Sequence, residues 1–184
     1  MSIYVDLRDS IYDSLFALLP TTEIIQTYGN GPEAVTPYVT YDILQTDQKG
    51  REYISSSADN AGLQQVISQY ETKVRFEFVG KQDLASNFAA AELANDFYFK
   101  VDYSTTQENF LINGLSFMRK DSLKRVPKKR ETDWYMCYQV DIIFGYQVVA
   151  RQTVDVIDTV NITGTYFNPA DELIIAITDV ISNP

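Results

Sequence analysis

Between residues 132 and 149 every second position is large and apolar or amphipathic: Trp134, Met136, Tyr138, Val140, Ile142, Phe144, Tyr146 and Val148. The alternate positions are mixed and include Asp133, Gln139, Asp141, Gly145 and Gln147. Strict alternation predicts a strand with one face on a core. The run is far longer than the usual strand of about five or six residues. The rest of the chain reads as organised around it. A strand of this length predicts a protein that pairs with neighbours rather than one that closes around a substrate. A second long strand is predicted over residues 63–79; its latter half alternates, with Val74, Phe76 and Phe78 facing one way and Lys73, Arg75 and Glu77 the other. Gly80 is placed to end it.

The remaining elements follow from the same patterning. Residues 3–19 predict an amphipathic helix with Ile3, Leu7, Ile11, Leu15 and Leu18 on one stripe and Asp6, Asp9 and Asp13 opposite. Pro20 stops it by removing a backbone donor. Residues 23–27 and 37–44 predict strands, separated by the Gly29, Asn30, Gly31, Pro32 turn. Residues 45–61 read as mainly connection, with room for a short strand near 51–55. Residues 83–97 predict a second helix with Leu84, Phe88, Ala91 and Phe97 on its buried side. Residues 105–113 predict a short third helix, ended by Gly114. A strand starts at 115–118, and another is expected over 154–165, rich in β-prone residues. The segment 171–181 is apolar and β-branched, which favours strand over helix. Such a segment either docks on its own domain or pairs with a neighbouring sheet edge. The fold class predicted is α+β: a mainly antiparallel sheet, two main helices on one face, long projecting strands and a C-terminal extension. Residues 1–165 read as a single domain and 166–184 as the extension.

Composition narrows the function classes. The chain has 184 residues and a formal charge of −10, the wrong sign for a general nucleic-acid binder. It contains no histidine, which removes the commonest general base and transition-metal ligand. Its one cysteine, Cys137, allows no internal disulfide and sits mid-strand, where an inert thiol is expected. The three aspartates of the first helix read as a solvated face, so no metal and no cofactor is expected. Gly31 and Pro32 are not followed by the Gly-Lys-Ser/Thr of a phosphate loop. No signal peptide and no membrane span are expected. An enzyme would need a carboxylate pair, a lysine or a thiol, and nothing in the sequence brings such groups together.

One segment changes the electrostatic picture. Arg119, Lys120, Lys124, Arg125, Lys128, Lys129 and Arg130 fall within twelve positions with a single acid, Asp121. The rest of the chain carries 8 basic residues against 24 acidic. Pro127 and the charge density predict an exposed loop between two strands. Three uses are open for it: a solvated turn, a contact with an acidic face of a neighbouring subunit, or direct DNA binding.

In order and spacing the chain resembles the neck or tail-terminator proteins of long-tailed bacteriophages. The resemblance rests on the first helix ending in Leu18, Leu19, Pro20, and on the Asn30, Gly31, Pro32 turn. It continues through Pro37, Tyr38, Val39, Thr40, the Val74 to Gly80 strand with its following helix, and the charged segment before the aromatic strand. It closes with the run from Ile157 to Gly164. The resemblance implies a structural role. Such proteins form rings, expected to be hexameric, that cap the tail tube and join it to the head-side connector or stopper. The implied partners are further copies of the chain, the tube and sheath proteins, and the connector. DNA would pass through the lumen without specific binding. The expected location is the virion neck, after assembly in the host cytoplasm. The candidate subunit-interface residues are the seven basic ones named above on one side and Asp6, Asp9 and Asp13 on the other. A head–tail adaptor, a tube protein or a baseplate protein is the alternative of similar make-up.

Overall fold

The alternating runs become the two longest strands of the fold. The structure, a computed structural model, describes residues 3–27, 34–54, 63–81, 84–130, 133–153, 159–167 and 173–182. Helix α1 (Ile3–Leu18) leads to β1 (Ile24–Gln26), β2 (Tyr38–Gln48), β3 (Tyr53–Ile54) and β4 (Leu63–Lys81). Helices α2 (Leu84–Lys100) and α3 (Ser104–Ile112) follow, then β5 (Leu115–Lys120), β6 (Lys124–Arg130) and β7 (Asp133–Thr153). The chain ends with β8 (Thr159–Phe167) and β9 (Leu173–Ser182). The fold is α+β, as the patterning predicts. The turn at residues 29–32 and residues 55–61, 154–158 and 168–172 lie outside the described residues.

Two compact units are present: residues 1–53 with 67–149, and residues 54–66 with 150–184. In the second, β8 and β9 pair antiparallel as a two-stranded sheet, with Val160 opposite Ile181 and Gly164 opposite Ile177. The apolar C-terminal segment is therefore strand.

The seven-stranded sheet runs β1-β2-β4-β7-β5, with β3 on β4 and β6 on β7. Strand β1 is parallel to β2, while β2 is antiparallel to β4. Cross-strand contacts run from Lys81–Asp133 to Glu77–Gln139 to Arg75–Asp141, so numbers fall along β4 as they rise along β7. That pair is antiparallel too. Strands β5 and β6 lie in tandem on β7, opposite Ile142–Tyr146 and Asp133–Gln139.

All three helices contribute to the core on one face of this sheet. Leu7, Ile11 and Leu15 of α1, Ala94 and Phe97 of α2 and Phe110 of α3 meet Val74, Phe76 and Phe78 of β4 and Val140, Ile142 and Phe144 of β7. Phe110 and Phe144 meet edge to face with centroids 5.0 Å apart, and Phe76 and Phe97 pack as tilted rings at 5.3 Å. The Asn109 side-chain amide donates to the Ser14 carbonyl at 3.1 Å and ties α3 to α1. Gly114 takes φ +77° to turn the chain out of α3 into β5.

Four expectations need correction. Phe88 is 61% exposed, and α2 buries Ala90, Ala94 and Phe97 instead. Phe88 and Phe97 are nine residues apart, half a turn out of phase on a 3.6-residue helix, so one stripe cannot hold both. Residues 45–48 are strand, not connection, because β2 runs on to Gln48 with mostly solvated side chains. The basic segment is no loop: Lys124–Arg130 is the edge strand β6, and an edge tolerates both proline and charge. Trp134 is 47% exposed, because at this end of β7 the buried residues are Tyr135 and Cys137, on the opposite face of the strand.

Candidate assembly surfaces

The helix-free face of the sheet carries a lattice of ion pairs. Asp141 accepts from Arg75 Nε at 2.8 Å and from a second guanidinium nitrogen at 3.0 Å. Lys73 Nζ lies 3.0 Å from Asp141 and 3.3 Å from Asp121. Glu77 receives Lys128 Nζ at 2.7 Å and the Gln139 amide. Lys81–Asp133 and Lys49–Glu71 add further pairs, each at 3.1 Å. Hydrogen bonds from Arg75 hold the Asp141 carboxyl below the usual carboxylate range, against the opposing effect of burial. The same bond pushes Arg75 up, and hydrogen bonds to Asp141 and Asp121 push Lys73 up. At one end of this face Tyr38, Val79, Tyr135 and Cys137 form a small apolar cluster with Ile25 and Ala34. Cys137 is a fully buried packing residue there.

The basic residues divide into two groups. Lys128 is engaged by Glu77 across β7. Lys120 lies under α2, its ammonium 3.8 Å from the centre of the Tyr98 ring and 2.6 Å from Asp102. These two hold the fold together. Arg119, Lys124 and Lys129 are exposed and make no ion pair among the described residues. Arg125 is exposed and its guanidinium donates to the Met136 sulfur at 3.6 Å. The β6 backbone places Arg130 opposite Asp133. The presented basic group is therefore smaller than the sequence cluster.

The acidic face of α1 is also partly engaged. Asp9 pairs with its neighbour Arg8 at 2.8 Å, and Asp13 is exposed. Asp6 is half-buried and adds to the upward shift of the Tyr146 hydroxyl, which comes first from burial. Beside these acids two aromatic rings, Tyr12 and Phe16, stack at 6.3 Å on the helix surface, with Phe16 52% exposed. This pair escaped the sequence reading. Four-residue spacing outside the core stripe is its one signal. Further large apolar groups are exposed on the helix layer: Phe88, Phe99, Tyr103, Leu111 and Ile112. The structure brings Asp6, Asp9 and Asp13 onto one face of α1, and the basic residues onto the β5–β6 edge of the sheet. Among the described residues no contact joins the two sets within one chain.

No group of three or more metal-binding side chains occurs among the described residues. No described helix is long and apolar enough to cross a membrane. This α+β domain shows aromatic rings and opposite charges on separate surfaces, features suited to contacts with other proteins. Over residues 3–170 the chain matches the family described as phage neck terminator protein, and it belongs to that family. Its role is accordingly structural, as a component of the virion at the phage neck. No curated protein matches the chain.

Proposed function

We propose that copies of this chain assemble head to tail into a ring that ends the tail tube and joins it to the head-side connector. Hexameric stoichiometry, contact with the tube or sheath proteins, and passage of DNA through the lumen are parts of this reading. The observation that carries it is the separation, on a neck terminator family member, of an acidic and aromatic α1 face from an exposed basic strand. Asp9, Asp13, Tyr12 and Phe16 form the first; Lys124, Arg125 and Lys129 form the second. A heterologous interface needs two different, complementary patches on each copy, and closes when the rotation between copies returns to the start. The lattice of neutralised pairs on the helix-free face supports a passage that does not hold DNA, because a strongly basic wall would bind phosphates by counterion release.

The test reverses the charge of the presented basic residues while sparing those the fold uses. Lys124→Glu with Arg125→Glu and Lys129→Glu is expected to abolish rings in sedimentation and negative-stain microscopy, and to leave the monomer's thermal midpoint unchanged. Rings that persist at wild-type yield would exclude β6 as a ring contact. Antibody label confined to the head–tail junction of particles is the expected localisation, and label along the tube would overturn the terminator placement.

A further inference from the structure

The seven-stranded sheet has two open edges, and they match. On one side β1 covers β2 only at Val39–Tyr41. From Asp42 to Gln48 the outer edge of β2 has no partner among the described residues. On the other side the outer edge of β5, Leu115–Lys120, is likewise unpaired among the described residues. One row runs across the sheet between them. Asp42 is opposite Arg75, Arg75 bonds Asp141 at 2.8 Å, and the Asp121 amide donates to the Asp141 carbonyl at 2.8 Å. The open part of β2 and the whole of β5 therefore lie at the same height along the strands. Gln45 and Asp47 from one side and Arg119 and Asp121 from the other rim a single hollow of about 300 Å³ on the helix-free face, consistent with that levelling.

The irregularities match as well. The β2–β4 register shifts between Ile43 and Gln45, leaving Leu44 as the extra residue. The β5–β7 register shifts between Phe117 and Arg119, leaving Met118 as the extra residue. Both bulged side chains are exposed, Leu44 by 39% and Met118 by 51%. Direction agrees too. Strands β2 and β7 both run opposite to β4, and β5 runs opposite to β7. A copy placed beside another in the same orientation would thus set its β2 antiparallel to the neighbour's β5, continuing the alternation of the sheet. Asp42 and Asp47 would face the side that carries the exposed Arg119.

We infer that the seam between copies is a strand pairing, in which the open β2 edge of one copy, Asp42–Gln48, takes β5 of the next, with Leu44 against Met118. This rests on the ring reading above and extends it. The charged contact between β6 and α1 then flanks a backbone ladder, which supplies the directional part of the interface. Bulges commonly blunt a sheet edge against pairing. Here the bulges sit level with each other, so two deformed edges fit where a flat strand would not.

Two single variants, Leu44→Cys and Met118→Cys, test the seam when they are co-expressed with different tags and oxidised. The expected product is a mixed disulfide dimer that carries both tags and is absent from either variant alone. Because the cysteines are on different chains, no internal bridge can imitate it. Rings of full size that yield no mixed dimer would overturn the seam and leave the ring intact. Wild-type protein that forms no ring under any condition would overturn the ring reading itself. Should the variants not fold, hydrogen exchange of the wild-type chain decides. The amides of Asp42–Gln48 that point to the open edge, away from β4, are expected to exchange at least about tenfold more slowly in the ring than in dissociated chains. Equal exchange would overturn the pairing.

Discussion

The two faces of the sheet use opposite means to stay in place. The helix-covered face is dry and held by interlocked phenylalanines, with Phe76, Phe78, Phe97, Phe110 and Phe144 all fully buried. The helix-free face is held by ion pairs whose members remain partly wet, such as Arg75 at 36% and Lys73 at 33% side-chain exposure. Burial contributes stability in proportion to area removed from water. Partly solvated charge pairs contribute far less, because water screens them and their side chains must be ordered. The core face thus provides stability. The open face fixes strand register with groups that keep it from becoming a second sticky surface.

The sharpest way to break this contrast is to remove one ring from the core. Phe144→Ala, which withdraws the edge contacts to Phe76 and Phe110, is expected to cost about 3–5 kcal/mol in urea unfolding. A loss below about 1 kcal/mol would show that the core is not packed as described. On the other face Asp141→Asn strips one carboxylate from two cations. The expected cost is smaller, about 1–2 kcal/mol, because both cations keep contact with water. A cost equal to that of Phe144→Ala would erase the distinction.

The pH dependence sharpens the same point. The Asp141 carboxyl titrates below its unfolded value, so its contribution is present above about pH 4. It is lost as pH falls through the lower, folded value. Wild-type stability should therefore drop more steeply than that of Asp141→Asn below about pH 4. Parallel profiles for the two proteins would contradict this. Lys73 and Arg75 are shifted upward, so their share is lost only in strongly alkaline solution. The smallest effect is expected on the outer surface of the helices. Phe16→Ser should change monomer stability by no more than about 0.5 kcal/mol while weakening assembly measured by sedimentation. A large loss of stability would show that Phe16 serves the fold rather than a contact.

Sequence patterning sees one of these faces much better than the other. Alternation from Val140 to Phe144 and from Val74 to Phe78 exposes the core strands, because a buried face demands a period of two. The partners on the open face are not written locally. Glu77 and Lys128 are 51 residues apart, and Arg75 and Asp141 are 66. In sequence Lys128 looks like one more charge in a solvated run. Pro127 and its basic neighbours pointed to a loop because proline and charge are rare in central strands, yet an edge strand accepts both. The polar residues Gln45–Gln48 pointed to a connection because strand periodicity vanishes where both faces of a strand are wet. Phe88 and Phe97 cannot share the buried side of one helix, and the phase between them, half a turn, is the signal that separates them.

The sheet's central pairing has a consequence for how the chain reaches this structure. Strands β2 and β4 are near neighbours in sequence, as are β5, β6 and β7, so each half-sheet can form locally. The β4–β7 junction that unites them must close over the whole of α2 and α3. Long loop closure is slow relative to local pairing. We therefore expect a transient state with two half-sheets whose inner edges are still open, at risk of joining the wrong chain. Pulse-labelled exchange during refolding would show early protection of the amides that pair β2 with β4 and β6 with β7, and late protection of the amides that β4 and β7 exchange. Simultaneous protection of both would exclude that order. Such a chain gains from being made slowly, with its first half-sheet complete before β7 emerges.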